Sequence, residues 1–151
     1  MRASLPPELD ALTERILGAA FAVSSILGHG FLEAVYKNAF LEELRFNNLR
    51  VAMEKPFAVH YRGKPVGKYI ADLVVEDLII VEVKTVEALA RAHHAQVLNY
   101  LKASGLPIGL LLNFSKPSLE MRRILGPSVK SVSNCRAAGN QKLTFAPSWI
   151  W

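Results

Sequence analysis

Apolar positions recur at helical spacing through residues 8–27, where Leu9, Leu12, Ile16, Ala19, Ala20, Val23 and Leu27 line up behind Pro6 and Pro7. Gly28-His29-Gly30 ends that segment. A second helix is predicted over residues 31–46, with Leu32, Val35, Ala39 and Phe40 as its apolar stripe and Asn47-Asn48 as its stop. A turn this short sets the two helices side by side.

From Val51 the period changes to two. Residues 51–56 and 57–62 read as strand segments, Pro56 marking an edge or a bulge, and Arg62-Gly63-Lys64-Pro65 reads as a turn. Residues 66–75 and 78–84 then form a hairpin around Glu76-Asp77. Helical spacing returns over residues 85–104, closed by Gly105 and Pro107, and residues 108–114 are the nearly all-apolar run that a central strand needs. Residues 119–125 fit either a last strand or a short helix. The order predicts an α/β sandwich in which residues 85–106 cross between parallel strands.

Composition narrows the class. A chain of 151 residues that is 51% apolar has the size and the hydrophobic content for one packed core, which excludes a disordered protein. Residues 1–125 carry the periodic elements; after Gly126-Pro127, residues 126–151 are expected to form an irregular tail, apolar only at Trp149, Ile150 and Trp151. The net charge of +5 suggests an anionic partner, but Lys130, Arg136 and Lys142 place much of it in that acid-free tail. Cys135 is the one cysteine, so no intrachain disulfide is available and a reducing, cytoplasmic setting is expected. The apolar stretch over residues 16–27 is broken by Gly18, Ser24 and Ser25 and is too short for a bilayer.

The chemistry concentrates on Leu78-Ile79-Ile80-Val81-Glu82-Val83-Lys84. Side chains two apart in a strand share a face, so Glu82 and Lys84 stand together while Ile79, Val81 and Val83 take the core side. Charges there are costly to desolvate unless paired or bound to an ion. Asp72 lies in the preceding strand, and register decides whether it joins them. A two-residue loop would set Asp72 against Val81, whereas a three-residue loop through Leu78, or an equivalent bulge, sets it against Glu82. Two opposed carboxylates repel; with the Val83 carbonyl and waters they match what Mg²⁺ accepts, and Lys84 would orient or deprotonate the attacking water or stabilise developing charge. By spacing alone, a cross-strand Lys84 salt bridge on a half-exposed face explains the pattern at least as well.

Other candidates are weaker alone. With Gly30 as N-cap, Glu33 sits at N3, where it favours the helix dipole and pairs with Lys37 at i,i+4; as a functional group it would be a further acid, with Tyr36 on the same face. His93, Gln96 and Tyr100 form one polar line on the third long helix, though His93 and Tyr100 also suit solvent and core roles. His29 and His60 lack partners at zinc spacing, and the glycines form neither a P-loop nor a dinucleotide fingerprint.

Taken together, Gly30-Phe31-Leu32-Glu33-Ala34-Val35-Tyr36, Ala71-Asp72, Glu82-Val83-Lys84 and Gln96-Val97-Leu98-Asn99-Tyr100 resemble the GxxExxY protein family, a branch of the PD-(D/E)xK nuclease-like superfamily. The resemblance covers residues 8–125, with Ala71 where the superfamily name has proline. It implies an α/β, restriction-endonuclease-like core with a mixed four-stranded sheet flanked by helices. It also implies a Mg²⁺-dependent nuclease, with Mn²⁺ as a substitute, acting on DNA, with RNA as the alternative. Residue by residue, Asp72 and Glu82 would be metal ligands, Lys84 the catalytic lysine, Glu33 the acid from the early helix, and Gln96 with Tyr100 the supporting helix motif. Cutting two strands suggests a homodimer. Two rivals stay open: a nucleic-acid-binding module without catalysis, and a protein-interaction module that uses the helical pair and the aromatic tail.

Overall fold

A computed structural model describes residues 5–129 of the protein. The expected tail over residues 126–151 therefore lies almost wholly outside the described residues. Helix α1 (Pro7–Leu27) starts with proline in its first turn, where the missing N–H costs no hydrogen bond, and buries Leu9, Leu12, Ile16, Ala19, Ala20 and Val23. Gly28 ends it at φ 68°, a conformation that favours glycine.

Helix α2 (Glu33–Phe46) corrects two expectations. Its N-cap is Leu32 rather than Gly30, so Glu33 occupies the first helical position and not the third. Its buried line is Tyr36, Phe40, Leu41 and Leu44, while Leu32 and Val35 are exposed. The aromatic rings decide the rotation: Tyr36 stacks on Phe114 with centroids 5.1 Å apart, and Phe40 packs on the same ring at 6.2 Å.

The strands are β1 (Val51–Tyr61), β2 (Lys64–Val75), β3 (Ile79–Lys84), β4 (Ile108–Asn113) and β5 (Glu120–Leu125), with helix α3 (Arg91–Ser104) between β3 and β4. They form one five-stranded sheet in the order β1-β2-β3-β4-β5. Only β3 and β4 are parallel, joined through α3 as the crossover predicts. The two segments expected over residues 51–62 are one strand, and residues 119–125 resolve as the fifth strand rather than a helix. The arrangement is restriction-endonuclease-like, with one strand more than expected.

Helix α3 begins at Arg91, later than periodicity suggests, because the Asn113 side chain bonds both Val86 N–H (3.1 Å) and Val86 C=O (2.8 Å) and ties that stretch to the end of β4. Helices α1 and α2 pack on one sheet face against Leu73, Val75, Ile79, Val81, Val83, Leu110 and Leu112. Helix α3 packs on the other, against Ala71, Val74, Ile80, Leu111 and Ile124. Its approach to β4 is close at Gly109, where a Cβ would collide with Val97 Cγ1. No helix among the described residues is long and apolar enough to cross a membrane.

Candidate metal and catalytic site

The β2–β3 turn sets the register on which the site depends. Glu76 and Asp77 both have φ 54°, and Leu78 N–H bonds Val75 C=O at 3.0 Å, which is a type I′ turn. Leu78 is an extra residue beyond that turn, because Val75 pairs with Ile79. The odd loop is therefore the one realised, and continuing the ladder from Leu73↔Val81 brings Asp72 opposite Glu82. Glu76 pins the corner: its carboxylate accepts Arg50 N–H at 2.9 Å and the Arg50 guanidinium at 3.0 Å, and those contacts hold its pKa below the usual range.

At Asp72 and Glu82 the carboxylates take over the role of backbone partners. Asp72 N–H donates to Glu82 Oε1 at 2.9 Å, and Val83 N–H donates to Asp72 Oδ2 at 3.0 Å. The β1–β2 ladder is also interrupted here, between Met53↔Leu73 and Lys55↔Ala71, at Glu54 with φ 49°. Ala71 and Val74 both lie in the core under α3, so the usual alternation of faces slips around Asp72. A strand irregularity of this kind re-aims side chains at a sheet's working end.

Two charged residues complete the group, and the periodic pattern marked neither as part of it. Lys37 on α2 donates to Asp72 Oδ1 at 3.1 Å and reaches Glu54 at 3.6 Å. Burial opposes its charge, but Asp72 and Glu54 outweigh that and raise its pKa. Lys37 does not pair with Glu33 as helical spacing suggests; Glu33 is exposed and makes no ion pair among the described residues. The turn at Arg62-Gly63 alone sets Glu54 against Ala71; the register shift between Val59 and His60 moves it across from Asp72, so no local signal in the sequence marks it.

Glu82 is the most perturbed acid. It is 2% exposed, and burial first, then the charge of Asp72, push its pKa up to about 8, against the weaker pull of the Asp72 N–H bond and of Lys84. Lys84 is half-buried and forms no salt bridge among the described residues, so the cross-strand pair suggested by spacing is absent there; the ion pair at Asp72 belongs to Lys37.

From α3, Gln96 Nε2 donates to the Tyr100 hydroxyl at 2.9 Å. Tyr100 is buried edge-on against Tyr69 at 5.3 Å. Burial and then the charge of Glu82 push its pKa up to about 12, with Asp72 adding to the shift, so Tyr100 faces the acids as a neutral hydroxyl. His93 leaves the expected polar line: its Nδ1 accepts Ala90 N–H at 2.9 Å and caps its own helix. Tyr36 is also structural rather than a neighbour of Glu33 in the site. Its hydroxyl donates to Gly28 C=O at 2.7 Å and accepts Phe31 N–H at 3.2 Å, which ties down the α1–α2 turn.

The donor set fits a hard divalent cation. Asp72 and Glu82 offer carboxylate oxygens within one hydrogen-bonded unit, in which burial and then the charge of Asp72 raise the pKa of Glu82. Among the described residues no group of three or more His, Cys, Asp and Glu is placed to hold a metal ion. Mg²⁺ accepts one or two carboxylates and fills its remaining positions with water and phosphate oxygens, whereas structural zinc and calcium sites need more protein ligands.

A family model described as "PD-(D/E)XK nuclease superfamily" matches residues 10–124. Among solved structures, "Crystal structure of SSO0001" aligns with a TM-score of 0.50 at 19% identity, over 85% of this chain. The chain spans 64% of that structure's length, and the likeness concerns the fold. No curated protein matches.

Proposed function

The chain belongs to the PD-(D/E)XK nuclease superfamily, and on that footing we propose that it is a Mg²⁺-dependent nuclease of the GxxExxY branch that hydrolyses phosphodiester bonds in DNA. The observation that carries the reading is the interlocked Asp72–Glu82 pair, with Lys84 on the same strand two residues beyond Glu82.

Asp72, Glu82 and the Val83 carbonyl would hold the ion, with Mn²⁺ able to replace Mg²⁺. When bound, the ion supplies Lewis acidity toward a phosphoryl oxygen. Lys84 orients the attacking water or stabilises charge growing on the phosphate. Gln96 fixes the Tyr100 hydroxyl, which supports the acids from the α3 side without ionising at neutral pH. Glu33 keeps the supporting part implied by the resemblance, acting from the exposed first turn of α2 and outside the ion's donor set.

One observation favours a second reading. The Lys37 ammonium already neutralises Asp72, as it would in a nucleic-acid-binding module that has given up catalysis. The two are separated by incubating purified protein with single-stranded, double-stranded and branched DNA, and with RNA, in Mg²⁺, Mn²⁺ or EDTA. The nuclease reading expects DNA products with either metal and none in EDTA. Binding without product under every metal condition would establish the second reading instead.

A further inference from the structure

Strand β3 pairs with β2 only over Leu73–Val75, so the β1–β2 hairpin runs on beyond it as a two-stranded ribbon. Every residue from His60 to Lys68 is exposed. The tip is a tight turn with Arg62 at φ 49° and Gly63 at φ 77°, and the register shifts between Val59 and His60, which leaves Val66 unpaired and adds twist. Residues 55–71 contain Lys55, Arg62, Lys64 and Lys68 and not a single acid. Lys55 is bridged to Asp77, but among the described residues Arg62, Lys64 and Lys68 have no acidic partner. Tyr61, Val66 and Ile70 stand among them at 64%, 63% and 49% exposure.

An exposed two-stranded ribbon is marginal in water and gives little packing in return. Edge protection alone is served by charges of either sign. A ribbon of one sign, with apolar side chains between the charges, matches a polyanion that also presents apolar surface. From this we infer that the β1–β2 ribbon is a DNA-binding arm that enters the major groove of B-form duplex. That groove, about 12 Å wide, admits a two-stranded ribbon, whereas the major groove of A-form RNA is too narrow and deep. Arg62, Lys64 and Lys68 contact the flanking phosphates, and Tyr61 and Val66 contact base edges and thymine methyls. The arm runs directly into the site, since Ile70 is two residues from Asp72 on the same strand. It deepens the nuclease reading by assigning duplex DNA as the substrate and giving that substrate a path to the acids.

The test does not depend on cleavage. Full-length protein and the triple variant Arg62→Ser, Lys64→Ser, Lys68→Ser are titrated against short DNA and RNA duplexes of one sequence, in EDTA, by fluorescence anisotropy across a salt series. The triple variant is expected to bind DNA at least about tenfold more weakly and to lose about 2 to 3 from the slope of log affinity against log salt. RNA duplex is expected to bind more weakly than DNA and to be indifferent to the substitutions. A double variant Lys64→Arg, Lys68→Arg keeps the charge and retains wild-type DNA affinity. Unchanged DNA affinity and slope in a folded triple variant, or an equal ribbon-dependent affinity for RNA, overturns the inference. Ribbon-dependent DNA binding by a protein that never cuts would sustain the arm while removing the nuclease reading; cutting without ribbon dependence would do the reverse.

Discussion

Asp72→Asn is expected to abolish Mg²⁺-dependent cleavage, by a factor on the order of 10³ or more, while leaving the fold in place. The asparagine amide oxygen can still accept Val83 N–H, which Asp72 now binds at 3.0 Å. What it loses is the negative charge that faces Lys37 at 3.1 Å and would face the ion. Alanine is the poorer probe, because leaving the Val83 N–H without a partner in a nearly buried strand costs about 1–3 kcal/mol by itself. Cleavage rates with Mg²⁺, read beside thermal unfolding of the same samples, check the expectation. Residual activity within tenfold of wild type would remove Asp72 from the mechanism.

The second large effect is on stability. Glu82 titrates near 4.5 when unfolded and at about 8 in the metal-free fold, with burial as the first cause and Asp72 as the second. Between those values the folded state binds the extra proton, so stability is greatest on the acid side and declines as pH rises toward about 8. The full cost of the buried charge is then present, on the order of a few kcal/mol. Urea denaturation in EDTA is expected to show this decline in wild type and to show it nearly abolished in Glu82→Gln, which is uncharged at every pH and still accepts Asp72 N–H. Saturating Mg²⁺ is expected to stabilise wild type most at high pH, because a bound ion favours the ionised acid. A wild-type profile that matches Glu82→Gln would show that Glu82 ionises without penalty.

Much of this site was legible in the residues. A carboxylate at Glu82 inside an apolar strand and another at Asp72 inside its neighbour pose a desolvation problem on sight, and the turn chemistry at Glu76-Asp77 leaves few registers. The structure selects the odd one through Leu78. The Glu82–Lys84 side of β3 and the parallel crossover through α3 follow from period and length alone. What the pattern could not supply was the rotation of α2. Its spacing marks a stripe, but whether Val35 or Tyr36 turns inward depends on Phe114, a ring from the far side of the sequence. That rotation turns Lys37 toward the sheet, where its side chain pairs with Asp72 rather than with Glu33 one turn earlier. Glu54 was hidden for a related reason, since it matters only through a ladder interruption across from Asp72 that no local propensity encodes. The acid-free ribbon is present in the sequence over residues 55–71, but acids elsewhere offset it in the net charge of the chain, and only charge placed strand by strand marks it.

Asp72 and Glu82 are proposed to hold one divalent ion jointly. Crystals soaked in Mn²⁺ and measured for anomalous scattering test it most directly. One peak bonded to an oxygen of each carboxylate is expected, with Lys37 withdrawn from Asp72 Oδ1, and no such peak in crystals of Asp72→Asn. Wild-type crystals with no density between the two acids and the Lys37–Asp72 contact intact in saturating Mn²⁺ would contradict it.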